Sequence, residues 1–260
     1  MNLLKSTGTI AGLTLVSRIF GFVRDILLAR ILGAGAAADA WQLAFQLPNI
    51  FRRLFAEGAF SAAFVPLFNR KMEADDDRTA AGILSLPLMM LVMPGIIWLI
   101  DDFGRGGRTG GFSISLARIT FPYLGLISVT TLFAAILNSL SRFAAAAAAP
   151  IMLNICMITA LLASHLVNDG TDPRQTAYFL AIAVATAGLV QMLWLYYWAR
   201  KTGFRFPLKM PKFNADVKEL GVLILPAVFG AGIYQISRFI DLFFLGRLPE
   251  GSFVYLAMAD

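Results

Sequence analysis

Long stretches without a charged residue are the feature that most restricts what this chain can fold into. Four of them exceed twenty residues, at 79–100, 119–141, 143–168 and 175–199. An α-helix of about 20 residues crosses the hydrocarbon core of a bilayer. Because a backbone in lipid must satisfy its own hydrogen bonds, such segments span as helices rather than as open sheets. The chain is therefore predicted to be an all-α, multi-pass membrane helix bundle.

Three further predicted spans mix charged and apolar residues, at about 9–32, 39–68 and 220–245, and bring the total to about seven. The chain is 58% hydrophobic and only 15% charged, whereas soluble domains are about 25% charged. This composition excludes a soluble domain and a nucleic-acid-binding tail, despite a net charge of +6. A single cysteine and a single histidine exclude a disulfide framework and a multi-histidine metal centre.

Lysine and arginine in the predicted connectors indicate the orientation of the chain in the membrane. With the N-terminus in the cytoplasm, eleven of these residues lie on the cytoplasmic side and four on the opposite side. Cytoplasmic connectors of membrane proteins are enriched in Lys and Arg. The count therefore predicts a cytoplasmic N-terminus, and an odd number of spans places residue 260 near the far side.

The first two predicted spans each carry their polar side chains on one face, at about 100° per residue. Pro48 lies within the second pattern and is predicted to kink or break that helix. A charge inside the bilayer costs at least about 2.5 kcal/mol, so the two polar stripes are predicted to line a water-filled cavity. Their charged residues are Arg18, Arg24, Asp25, Asp39, Arg52, Arg53 and Glu57.

The charges of the two stripes comprise four arginines and three carboxylates, a slight cationic excess. Arginine binds phosphate and carboxylate through a planar fork of donors and stays charged at low dielectric. The predicted ligand is an anionic amphipathic molecule, such as a lipid with a phosphate-bearing head. The alternative is internal ion pairing, since Arg53 and Glu57 are spaced i,i+4 and Arg24 adjoins Asp25.

Polar residues in the later spans leave two interpretations open. Asp241 could pair with Arg238, three residues before it, or could bind a coupling cation through its hard carboxylate oxygens. Asn138 and Asn154 could form hydrogen bonds between helices. No HExxH, GxSxG, P-loop or paired-carboxylate motif occurs in the sequence. The chain is therefore predicted not to be an enzyme and to need no organic cofactor.

Three motifs resemble those of one transporter family, the MurJ/MviN lipid II flippases. The first is SRIFGFVRD at 17–25, and the second is PNIFRRLFAEGAF at 48–60, continued by AFVP at 63–66. The third is RITFPY at 118–123, at the start of the fourth predicted span. The similarity extends over nearly the whole chain, and the three motifs together are specific.

The resemblance implies a member of the multidrug/oligosaccharidyl-lipid/polysaccharide exporter superfamily, with fourteen helices in two lobes. Such flippases sit in the bacterial inner membrane and serve peptidoglycan synthesis. They move lipid II, an undecaprenyl-pyrophosphate-linked precursor, from the cytoplasmic to the periplasmic leaflet by alternating access. A related exporter of polysaccharide lipids or drugs, and a membrane scaffold that binds the precursor without moving it, are the alternatives.

The resemblance also assigns roles to parts of this chain. The seven charged residues of the two stripes are implied to line the substrate cavity, and Asp241 matches a position associated with sodium binding. Residues 1–245 correspond to the N-terminal lobe of seven helices, and 246–260 to the start of a truncated second lobe. The predicted partners are lipid II, membrane lipids and the missing C-terminal lobe. No nucleic acid is expected to bind.

Overall fold

The computed structural model describes residues 3–51, 110–168, 171–202 and 251–259, together with single positions between 222 and 249. All regular structure within these residues is α-helical, which confirms the predicted fold class. In chain order the helices are α1 (Leu3–Ile31), α2 (Ala36–Phe51), α3 (Gly110–Thr120), α4 (Pro122–Ser139), α5 (Phe143–Asn168), α6 (Pro173–Lys201) and α7 (Ser252–Ala259).

Three stretches of the described chain are long and apolar enough to cross a membrane: Gly111–Ser139, Phe143–Val167 and Pro173–Lys201. The last two confirm the spans predicted at 143–168 and 175–199. The start predicted at 119 is wrong, because helical structure begins with α3 at Gly110. Arg118 was taken as the boundary of that span, but it lies within α3 with its side chain exposed.

The other four predicted spans are described unevenly, and the one predicted at 79–100 lies wholly outside the described residues. Helix α1 covers the span predicted at 9–32, and α2 covers the first part of the span at 39–68. Helix α2 continues through Pro48 to Phe51, so the proline does not break it there. Residues 52–109 and most of 220–245 lie outside the described residues. The total of seven spans therefore stays a prediction.

Helices α5 and α6 lie at the centre of the described bundle and pack against each other along their length. Helix α1 packs on α5, α4 packs on α6, and α2 packs on α3, α6 and α7. Small residues of α6 let its neighbours come close, as at Gly188, where an added Cβ would meet Tyr123 Cδ2 at 2.8 Å. The largest fully buried side chains of this core include Trp41, Tyr123 and Leu161.

Buried polar side chains cross-link the helices through backbone carbonyls. Thr120 Oγ1 of α3 donates to the Ala44 carbonyl of α2 at 3.0 Å. On α6, Gln191 Nε2 and Trp194 Nε1 donate to the Ala149 and Ala145 carbonyls of α5 at 2.8 and 3.1 Å. Inside a membrane bundle such a bond is worth about 0.6 kcal/mol on average. These bonds fix the register of α2, α5 and α6 around the candidate site.

Candidate functional site

Helix α1 presents three different faces, and its three predicted site residues, Arg18, Arg24 and Asp25, lie on two of them. Ser17, Gly21, Arg24 and Leu28 recur at intervals of four and three, which places them along one seam of the helix. That seam packs against α5. Apolar side chains on the opposite face are exposed on the surface of the chain; they are Leu15, Ile19, Phe22, Val23 and Ile26.

Arg18 and Asp25 lie between these two faces, about 80–100° round the helix from the seam. Both side chains are exposed, and the Asp25 side chain is 62% exposed. A carboxylate within a membrane helix needs water, a cation or a hydrogen-bonding partner around it. This shoulder of α1 is therefore a polar surface of the described chain that water or a ligand can reach.

The Arg24 guanidinium is held from two sides. Its Nε and Nη2 both donate to Asp25 Oδ1, at 2.9 and 2.7 Å. On the other side, its Nη1 donates to Asn154 Oδ1 of α5 at 2.9 Å. Arg24 is partly buried, with 21% of its side chain exposed, so it sits where the seam meets the polar shoulder.

These three bonds to described residues use three of the five N–H donors of the guanidinium, and each terminal nitrogen keeps one more. The Arg24–Asp25 pair matches the ion pairing considered from the sequence. This pair occupies the Nε–Nη2 edge of the guanidinium and leaves other N–H donors of the group available. The group is thus fixed in place, partly exposed, and still able to donate two hydrogen bonds to an anion.

Asp39 of α2 has a different environment, although it belongs to the same predicted set. Its residue is only 6% exposed. Its Oδ2 accepts a hydrogen bond from the Gly251 amide at 2.6 Å, and its Oδ1 accepts one from the Val254 amide at 3.3 Å. Asp39 therefore caps the N-terminus of α7, a helix more than two hundred residues later in the chain.

The cap works because α7 begins after a glycine. Gly251 precedes the first helical residue, Ser252, and has a φ of 92°, which favours glycine. Glycine has no side chain to accept the amides of the first turn, so Asp39 takes that role from another helix. The positive end of the α7 dipole further stabilises its negative charge. Whether Asp39 also lines a substrate cavity stays a prediction.

Of the other predicted site residues, the structure describes only Asp241. Arg52, Arg53 and Glu57 lie outside the described residues, as does Arg238. Asp241 lies in helical backbone and is half-buried, and its carboxylate is a hard oxygen donor that suits a sodium ion. No group of three His, Cys, Asp or Glu side chains comes together within the described part of the chain.

One residue of the site was not among the predicted ligand-binding residues. Asn154 was interpreted only as a contact between helices, and this contact is confirmed, since its Nδ2 donates to the Ser17 carbonyl of α1 at 3.1 Å. Its bond to Arg24 was not foreseen. The available signal was an amide in the middle of an uncharged span. Asn138, interpreted in the same way, lies exposed near the end of α4.

Comparison with known proteins gives a consistent result along the chain. The family model described as "Lipid II flippase MurJ" matches residues 28–260. A protein of Rhizobium tropici named "Probable lipid II flippase MurJ" is 40% identical over the whole of this chain. A protein of Burkholderia cenocepacia named "Lipid II flippase MurJ" is 33% identical, also over the whole chain. The chain spans about half the length of these relatives, 51% and 53%.

A solved structure has the same fold. It is titled "Lipid II flippase MurJ, inward closed conformation" and superposes with a TM-score of 0.74 at 23% sequence identity. The match covers 95% of this chain and 52% of the solved one. It supports the prediction that the bundle forms one lobe of a larger exporter fold. The family match over residues 28–260, together with relatives that align with the whole of this chain, shows that the chain belongs to the MurJ lipid II flippase family.

Proposed function

We propose that this chain forms one lobe of a flippase that moves lipid II from the cytoplasmic to the periplasmic leaflet. The observation that carries the proposal is the family match over residues 28–260. The family is one of transporters, so we infer no catalytic role. Because alternating access requires two halves that rock against each other, this lobe works with a second one.

The chemistry of α1 fits the pyrophosphate of such a lipid. Arg24 keeps two N–H donors beyond those bound by described residues, and Arg18 is exposed on the neighbouring shoulder of the helix. A guanidinium recognises the oxygens of a phosphate through two parallel hydrogen bonds. The exposed apolar face of α1 borders the shoulder that carries Arg18 and gives a polyprenyl chain an apolar surface there.

A reconstitution experiment tests the transport proposal. The chain is placed in proteoliposomes with fluorescent lipid II, by itself and joined to the second half of the Rhizobium tropici relative. We expect both forms to bind lipid II and only the joined form to move it between leaflets. Binding without movement in the joined form would favour a scaffold. Movement of polysaccharide-linked lipids in place of lipid II would favour a related exporter.

The proposal includes an inner-membrane location with the N-terminus in the cytoplasm, supported by the eleven-to-four distribution of Lys and Arg. Reporter fusions after Arg78 and after Lys212 should read as cytoplasmic. A fusion within 104–111 should read as periplasmic. Opposite readings at two of these three positions would contradict this topology.

The proposal also includes sodium coupling through Asp241. Its half-buried carboxylate needs a cation or a hydrogen-bond partner at that depth. In the joined protein, Asp241→Asn should abolish a sodium-specific rise in melting temperature, measured against potassium. If the carboxylate instead pairs with Arg238, Asp241→Asn should lower the stability in both salts and Arg238→Gln should restore it. An unchanged sodium effect in Asp241→Asn would refute the sodium assignment.

A further inference from the structure

We propose that Asn154 is a positioning residue, which holds the Arg24 guanidinium so that its remaining donors meet the pyrophosphate of the substrate. This inference rests on the proposed function, because it takes Arg24 as a substrate contact. It adds a residue of α5 to a site that the sequence motifs place on the first two helices.

Asn154 joins two points of α1 that lie two turns apart. Its Nδ2 donates to the Ser17 carbonyl at 3.1 Å, and its Oδ1 accepts from Arg24 Nη1 at 2.9 Å. The two bonds require opposite polarity at the two ends of the amide, so the side chain has one productive orientation. With both ends bound, the amide fixes the guanidinium relative to the backbone of α1.

The surroundings of Asn154 favour this role. Asn154 is 6% exposed, so water has little access to replace its bonds. Gly21 lies between Ser17 and Arg24 on the seam, and Asn154 Nδ2 is 3.7 Å from the position that a Cβ there would take. The amide of Asn154 therefore lies against the surface of α1 at Gly21, between its two partners.

Asp25 and Asn154 accept hydrogen bonds from different nitrogens of the Arg24 guanidinium. Asp25 binds the edge formed by Nε and Nη2, and Asn154 binds Nη1 from the other helix. One N–H then remains on each terminal nitrogen beyond those bound by described residues, and the oxygens of a phosphate group can accept from both. A long arginine side chain fixed before binding loses less conformational entropy on binding, and this raises the affinity.

A binding experiment separates positioning from simple helix packing. The chain and its joined form are titrated in detergent with undecaprenyl pyrophosphate and with undecaprenyl phosphate. Asn154→Leu keeps the volume of the side chain and removes both hydrogen-bonding groups. We expect it to weaken pyrophosphate binding about tenfold, the loss of one hydrogen bond to a charged group. Asn154→Asp keeps an acceptor for Arg24, but it loses the donor to the Ser17 carbonyl and adds a negative charge near the pyrophosphate, so it should also weaken binding.

Two controls make the result specific. Asn138→Leu, the same change at an exposed asparagine of α4, should leave binding unchanged. In an Arg24→Ala background, Asn154→Leu should cause no further loss, because a positioning residue acts only through the group it positions. If Asn154→Leu folds poorly, Asn154→Ala takes its place in the same cycle.

Three results would overturn the inference. If Asn154→Leu binds undecaprenyl pyrophosphate as tightly as Asn138→Leu does, the inference is wrong, although the proposed function still stands. Equal losses with and without Arg24 would assign Asn154 to packing alone. If the wild type binds neither lipid in either form, the proposed function falls and the inference falls with it.

Discussion

Arg24 of α1 and Asp39 of α2 carry the same kind of sequence signal, an ionisable residue within an apolar membrane helix, yet their environments differ. Arg24 is partly exposed and keeps donors beyond those bound by Asp25 and Asn154. Asp39 is buried, and each of its oxygens accepts a backbone amide at the start of α7. The first arrangement leaves capacity for a ligand, whereas the second stabilises the fold.

The largest expected effect is on ligand binding at Arg24. Arg24→Ala should weaken the binding of undecaprenyl pyrophosphate about a hundredfold, because two hydrogen bonds to a charged group are lost. Its melting temperature should also fall, because the Asp25 left behind is exposed but the buried Oδ1 of Asn154 loses its donor. Titration and a melting curve of the same preparation measure both quantities. Full binding by Arg24→Ala would remove Arg24 from the ligand site.

The next effect is on stability at Asp39. Asp39→Ala leaves the amides of Gly251 and Val254 without their acceptor and should lower the free energy of unfolding by about 2–3 kcal/mol. Unfolding in a detergent titration measures it. The matched control is Asp25→Ala, whose exposed carboxylate should contribute no more than about 1 kcal/mol. If Asp39→Ala and Asp25→Ala lower the free energy of unfolding equally, the buried and the exposed carboxylate do not differ in their contribution to stability.

Glycines test the geometry of the Asp39 cap. Gly33 and Gly251 both have positive φ, at 70° and 92°, so alanine should cost about 1–2 kcal/mol at either position. At Gly251 the new Cβ would also lie 3.1 Å from Tyr255 Cε2, whereas nothing lies within 4 Å at Gly33. Gly251→Ala should therefore unfold at a lower temperature than Gly33→Ala. The reverse order would show that the amide facing Asp39 can shift freely.

The smallest effect tests how α2 is held beside its cap. Thr120→Val removes the bond from Oγ1 to the Ala44 carbonyl and should cost about 0.6 kcal/mol. Thr130→Val is the matched control, because among the described residues Thr130 Oγ1 donates to the Leu126 carbonyl, one turn earlier in its own helix. A larger loss in Thr130→Val would show that the bond between helices adds no stability.

Prediction from the sequence succeeded where the physics is local. The uncharged runs at 143–168 and 175–199 correspond to α5 and α6 within two residues, because the need to bury backbone in lipid acts on every residue of a span. The start at 119 failed, because a single arginine on an exposed side of α3 does not end a helix. The adjacent Arg24–Asp25 pair was foreseen, since both residues lie on the same turn.

The pattern of charges and apolar runs alone determined that this chain is a membrane helix bundle, because lipid excludes other backbone conformations. It also marked Arg24 and Asp39 as residues that need a polar partner. Only the tertiary structure decided which partner each one has. Asn154 lies 130 positions from Arg24 and Gly251 lies 212 from Asp39, and no local pattern specifies contacts over such separations. These contacts form when α5 packs on α1 and α7 packs on α2. The packing leaves Arg24 able to bind a ligand and makes Asp39 the cap of α7.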